Sequence, residues 1–138
     1  MSKVVRKSAS LISPFLVIYG MYLVIYGHLS PGGGFQGGVV LSVSVIMMIT
    51  AHGYVLVRDT FRVDFVKLVE GSASLFIFVL ACMGILFGSF LHNFLQGGSF
   101  GTLFSGGNTV LLNIAIGLKV GTAFIIMFYV MLRWTESD

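Results

Sequence analysis

The sequence predicts an all-α integral membrane protein with four transmembrane helices, both termini cytoplasmic and glycine-rich outer loops. Three observations carry this. The 138 residues are 57% hydrophobic and only 9% charged, against about 25% charged in a soluble domain, and the mean hydropathy is +1.00. Four apolar runs, Ala9–His28, Phe35–Val57, Leu68–Leu91 and Val110–Leu132, each reach the length of about 20 residues that a helix needs to cross a hydrocarbon core. If these runs alternate, every Lys and Arg outside them falls on one side. Lys3, Arg6 and Lys7 precede the first run, Arg58, Arg62 and Lys67 join the second to the third, and Arg133 follows the fourth. By the positive-inside bias that side is cytoplasmic. The expected organisation is one four-helix domain over residues 1–138.

The first run follows a basic start, as in a secretory signal. Its apolar length and the lack of a small-x-small cleavage site favour a retained span. After it comes Ser30-Pro31-Gly32-Gly33-Gly34-Phe35-Gln36-Gly37-Gly38. Pro31 with Gly32, Gly33 and Gly34 forms a tight reversal. Gly37 and Gly38 let the second helix start against a neighbouring backbone, where free N–H groups can hold a polar side chain. Phe35 and Gln36, between glycines, suggest a docked contact. Gly32, Gly34 and Gly37 match G-x-G-x-x-G, but that fingerprint needs a preceding strand and a soluble βαβ unit, so nucleotide binding is set aside.

The second helix carries His52 near its cytoplasmic end, a proton relay or an interfacial hydrogen-bonding residue. Glu70 opens the third near the cytoplasmic surface, where a carboxylate at a helix N-terminus is at ease. Cys82 is the only cysteine and forms no internal disulfide. The second outer stretch, Leu95 to Asn108, mixes five glycines with Leu95, Phe100, Leu103 and Phe104, which points to the interface or to a neighbouring protein. His28 before Phe35-Gln36-Gly37-Gly38 echoes His92 before Leu95-Gln96-Gly97-Gly98; a duplicated two-helix unit or chance in glycine-rich turns accounts for it.

The fourth run holds Lys119 nine residues from its nearer end, about 14 Å at helical rise. A lysine at that depth costs about 2.5–3.5 kcal/mol and needs an acceptor. With no Asp or Glu expected at a comparable depth, the acceptor should belong to another protein. Ala115, Lys119 and Thr122 share one helix face. Asn113, Gly117 and Gly121, spaced by four, lie roughly opposite, a pattern of close helix packing. Lys119, His52, Glu70 and Thr122 are therefore candidates for an ion or proton path, with an assembly-only ion pair as the other reading of Lys119. The glycine-rich loop, Asn113, Gly117 and Gly121 are candidates for assembly contacts. No catalytic residue, metal or cofactor is expected: His28 and His92 lack acidic or thiol companions, and Ser-His-Asp, H-E-x-x-H and P-loop patterns are missing. The few basic residues flank apolar runs, so nucleic acid is not an expected partner.

The string Gly27-His28-Leu29-Ser30-Pro31-Gly32-Gly33-Gly34-Phe35-Gln36-Gly37-Gly38-Val39, with Gly97-Gly98 and Gly106-Gly107-Asn108 further on, resembles the MnhB-type component of Mrp/Mnh multisubunit Na⁺/H⁺ antiporters. The resemblance covers nearly the whole chain. It implies a hetero-oligomer of several different membrane subunits in the bacterial plasma membrane, similar to the membrane arm of respiratory complex I and of membrane-bound hydrogenases, exchanging cytoplasmic Na⁺ for external H⁺. It does not by itself give Lys119 a transport role. A purely structural scaffold subunit and a stand-alone homo-oligomeric channel or small exporter stay open as alternatives.

Overall fold

The computed structural model describes residues 2–29, 31–53, 62–86, 88–93, 95, 101 and 103–135, with only the backbone of 103, 104 and 135. The described residues form four long helices, α1 Lys3–Tyr26, α2 Gly34–His52, α3 Val63–Leu86 and α4 Asn108–Thr135, and a 3₁₀ turn at Leu103–Gly106. All four are long and apolar enough to cross a membrane.

The helix ends follow local chemistry. α1 starts six residues before its apolar run because the Ser2 hydroxyl caps it, accepting from the Val5 N–H at 3.4 Å. It carries Pro14 inside, whose missing N–H leaves the Ser10 carbonyl without an intrahelical donor. α2 stops at His52, short of the expected Val57, because Gly53 turns to φ 100°, a left-handed conformation that suits glycine. Residues 54–57 of the expected span lie outside the described residues. α3 starts at Val63 and ends at Leu86, five residues early at each end. Beyond it Gly88 (φ 121°) and Leu91 (φ 59°) reverse the chain. The α4 N-terminus is held from another segment: the Asn93 side-chain oxygen accepts from the Asn108 N–H at 3.0 Å, and the Asn108 amide donates to the His92 carbonyl at 2.9 Å.

The helices pack in the order α1, α2, α4, α3. α1 and α2 are antiparallel, since Ser10 meets His52, Ser13 meets Ser44 and Gly20 meets Leu41. α2 and α4 run parallel: Gly34 lies against Asn113 and Gly38 against Gly117 and Gly121. Here small residues replace hydrophobic bulk. A Cβ on Gly37 would sit 2.9 Å from the Gly20 carbonyl oxygen, and one on Gly38 would sit 2.5 Å from the Gly117 oxygen and 3.0 Å from the Gly121 nitrogen. Without water to expel, membrane helices gain from such close backbone approach. Val24 fills the space between Gly37 and Gly117. The apolar core lies at the far end of α2 and α4, where Ile49, Val66, Ile125 and Tyr129 cluster with Val45, Met48 and Val63 around them.

A polar pair pins α1 to α2. Ser13 and Ser44 are both buried; their hydroxyl oxygens are 2.5 Å apart, and the Ser44 hydroxyl reaches the Ser13 carbonyl at 3.0 Å. Ser44→Val removes one hydroxyl and leaves the other only the more distant Ser44 carbonyl, 3.4 Å away. We expect a loss of about 1–3 kcal/mol, read as a lower thermal midpoint in detergent, with Ser13→Ala/Ser44→Ala milder than Ser44→Val.

Candidate functional site

The helix pairing fixes the depth of each candidate group. Lys119 lies between Gly117 and Gly121, hence level with Gly38 of α2. Gly34, the first residue of α2, is level with Asn113, so Lys119 is six residues, about 9 Å, inside the end of the bundle formed by Tyr26 and Gly34. Arg133 is fourteen residues, about 21 Å, the other way. Along α4 itself Lys119 stands eleven residues after Asn108 and sixteen before Thr135. Its side chain, tilted toward the helix N-terminus as all helical side chains are, leans toward the nearer surface.

Glu70 moves the other way. Since α3 begins at Val63, Glu70 is seven residues in, about 10 Å along the helix, and does not open it. It is half-buried, as is Thr122. α3 and α4 are antiparallel, and the cluster joining Val66 to Ile125 and Tyr129 sets Glu70 about level with Ala123. Glu70 and Thr122 therefore share a level, with Lys119 about one turn, or 5 Å, further along. So this chain does hold a carboxylate near the depth of Lys119, contrary to the sequence expectation. The Thr122 hydroxyl donates back to the Leu118 carbonyl at 2.7 Å and lies 3.1 Å from that of Lys119, which occupies its one proton and leaves its oxygen free to accept. Neither the Lys119 ammonium nor the Glu70 carboxylate makes an ion pair or hydrogen bond with a described residue. Lys119 is exposed on the face of α4 that also carries Ala123, Met127 and Val130, whereas Ala115, expected on the same face, is buried.

His52 does not join this group. It sits at the α2 terminus, fourteen residues, about 21 Å, from the level of Gly38. There it meets α1: the Ser10 hydroxyl donates to the Arg6 carbonyl at 2.9 Å and its oxygen lies 3.2 Å from His52 Nε2. The imidazole tautomer sets which of Ser10 and His52 donates, and His52 Nδ1 is buried without a partner among the described residues. Sequence reasoning saw His52 but not Ser10.

The loop candidates divide. Gly34, Gly37 and Gly38 are buried in the α1–α2–α4 contact, and Gly117, Gly121 and Asn113 face them from α4. Gly32 and Gly33 are half-buried; Pro31 and Gln36 are exposed, as is Phe35 at 59%. Gly27, which the sequence reading did not single out for packing, lies against Gly33 and the Asn113 side chain. Its signal was the spacing of small residues along α1, with Ala9, Ser13, Gly20 and Gly27 on one side. Among the described residues no group of three His, Cys, Asp or Glu side chains could hold a metal ion.

Sequence and structure comparisons converge. A family model described as a domain related to the MnhB subunit of Na⁺/H⁺ antiporters matches residues 4–126. The B component of the Na⁺/H⁺ antiporter of Bacillus subtilis (strain 168) is 31% identical over 81 residues, 59% of this chain and 55% of its own length. An uncharacterized protein of Methanocaldococcus jannaschii is 32% identical over 118 residues, 78% of this chain and 44% of its own. Among solved structures, a chain from the membrane-bound sulfane sulfur reductase, an archaeal respiratory membrane complex, superposes with a TM-score of 0.74 at 30% identity, covering 95% of this chain and 58% of that one. The chain thus spans about half the length of these relatives. With a family match that reaches into all four helices, the chain belongs to the family of the MnhB subunit of Na⁺/H⁺ antiporters.

Proposed function

We propose that this chain is a membrane subunit of a hetero-oligomeric cation/proton antiporter that exchanges Na⁺ for H⁺ across the plasma membrane, and that Glu70, Thr122 and Lys119 contribute a charged step to its ion or proton path. The second part is supported by the levels along α3 and α4: Glu70, Thr122 and Lys119 fall within about one helical turn of one another along the bundle axis, inside the span. Ionisable groups at such depth pair with each other or line wet pathways. The subunit works without a catalytic site, cofactor or metal of its own.

Its partners are other membrane subunits and lipid. The reading rests on wide apolar exposure, with α3 packed mainly on α4 and Leu75, Phe78 and Leu86 exposed along it. The loop residues Pro31, Phe35 and Gln36 are the assembly contacts in this proposal. Drastic change at Pro31 or Phe35 is expected to deplete the complex on a native gel while leaving the message level unchanged.

Both termini are cytoplasmic in this reading. Lys3, Arg6 and Lys7, Arg62 and Lys67, and Arg133 gather at the Ser10–His52 end of the bundle, whereas 27–29, 31–34, 88–93 and 103–108 contain no Lys, Arg, Asp or Glu. In a Cys82→Ser background, Leu29→Cys and Ser89→Cys should react with an impermeant thiol reagent in whole cells and Arg62→Cys should not; the reverse pattern overturns the orientation. For the path itself, Glu70→Gln is expected to assemble and to lose most cation-driven proton flux in everted vesicles. Undiminished flux per complex would remove Glu70 from the path.

A further inference from the structure

α1 lies at one edge of the bundle, packed mainly on α2. Ser13, Gly20 and Val24 face that neighbour. Phe15 and Tyr22 each stand two residues, about 200° round the helix, from Ser13 and Gly20. With Tyr19 between them they form one stripe on the open side, and all three are exposed. Tyr26 continues the stripe and stacks on Tyr22, with ring centroids 5.1 Å apart.

Neither the Tyr19 nor the Tyr22 hydroxyl bonds to a described residue. α1 ends at Tyr26; Tyr22 is four residues, about 6 Å, and Tyr19 seven residues, about 10 Å, inside that end. Side chains on α1 tilt toward Lys3, away from it, so these phenols do not rise to the nearer surface. Nor does their own helix answer them. The two hydroxyls of α3, Ser72 and Ser74, donate back to the Val69 and Glu70 carbonyls at 2.9 and 3.0 Å, as short side chains can. A phenol ring holds its oxygen out of reach of its own backbone, and a hydroxyl left unpaired in hydrocarbon is costly. We infer that the Phe15–Tyr19–Tyr22 stripe docks a membrane helix of another subunit, one that sets carboxylate or carboxamide acceptors at the levels of Tyr19 and Tyr22. A second copy does not fit. It would bring the same phenols, and residues 14–26 hold no Asp, Glu, Asn or Gln to receive them. This docking presupposes the hetero-oligomer and makes no use of Glu70, Thr122 or Lys119.

The test uses the chain in its assembled complex, in native membranes. Benzoylphenylalanine in place of Phe15 keeps a ring on the stripe and leaves both hydroxyls in place. After photoactivation the expected adduct is to one other subunit of the complex, its cross-linked residue mapped by mass spectrometry. An Asp, Glu, Asn or Gln should lie within about two helical turns of that residue, toward the Tyr26 end. Tyr19→Phe/Tyr22→Phe removes only the two hydroxyls. It should raise the ratio of free to assembled subunit on a native gel about tenfold, at an unchanged amount of subunit in the membrane. Lipid adducts at position 15 from an intact complex overturn the docking and leave the hetero-oligomer standing. An adduct to a second copy overturns it as well, as does a cross-linked helix without such an acceptor or a double variant that assembles like wild type. A double variant lost from the membrane altogether places the hydroxyls inside the fold and overturns it too. A wild-type subunit found in no complex removes the hetero-oligomer, and the docking with it.

Discussion

Gly38→Ala is expected to lower the thermal midpoint of the subunit sharply and to deplete assembled complex. The added methyl would meet the Gly117 carbonyl oxygen at 2.5 Å and the Gly121 nitrogen at 3.0 Å. Both are backbone atoms, so no side-chain rotation relieves the contact and α2 and α4 must separate. Overpacking of this kind costs about 1–3 kcal/mol, and here the separation also loosens Val24, wedged against Gly37 and Gly117. Gly71→Ala is the matched control. Gly71 lies inside α3 with nothing within 4 Å of an added Cβ, so the substitution should be neutral or gain about 0.5–1 kcal/mol from helix propensity. Equal melting of Gly38→Ala and wild type would mean that the close crossing is not what holds α2 to α4.

Lys119→Met should assemble yet lose most Na⁺-dependent proton flux. Met keeps the length and removes the charge. A unit charge about 8 Å from an ion path acts with about 2 kcal/mol at an effective dielectric near 20, or roughly 30-fold in rate. Lys119→Arg should retain part of the flux, limited by a guanidinium that does not release its proton. If Lys119 acts through Glu70, the double variant Glu70→Gln/Lys119→Met should be no worse than the poorer single one. The measurement is cation-driven dequenching of a pH-sensitive dye in everted vesicles, normalised to complex on a native gel. Wild-type flux from fully assembled Lys119→Met would end the transport role and leave the scaffold reading.

Much of the fold is legible in the sequence, because hydrocarbon thickness is a severe constraint and the four apolar runs meet it. The helix bounds are less so. An apolar run starts after its last charge, whereas a helix starts at its cap. That is why α1 takes in Lys3, Arg6 and Lys7, and why α3 begins five residues before Leu68. The same effect hid the depth of Glu70. The level of Lys119 against α2 is likewise not legible in its own run, and only the pairing of Gly34 with Asn113 gives it. The small residues at 37, 38, 117 and 121 could be read as packing residues from their spacing. Which helix they face could not, since four-residue spacing names a face and not its neighbour. The Ser13–Ser44 and Ser10–His52 contacts join positions 31 and 42 residues apart and leave no local trace.

The spatial order of the helices differs from their order along the chain, and this bears on how the protein is made. α1 and α2 are neighbours in both senses and can pair as soon as the second leaves the translocon. α3 emerges next, but its main contact surface is α4, which has not yet been synthesised. Glu70 thus enters the membrane before Thr122 and Lys119 exist, and only the later pairing of α3 with α4 brings the carboxylate near their level. Biogenesis then becomes a docking of two hairpins through the Gly38–Gly117–Gly121 contact. The polar residues of the later hairpin come to one level within it before it joins the first, so their alignment does not wait for the glycine seam to close.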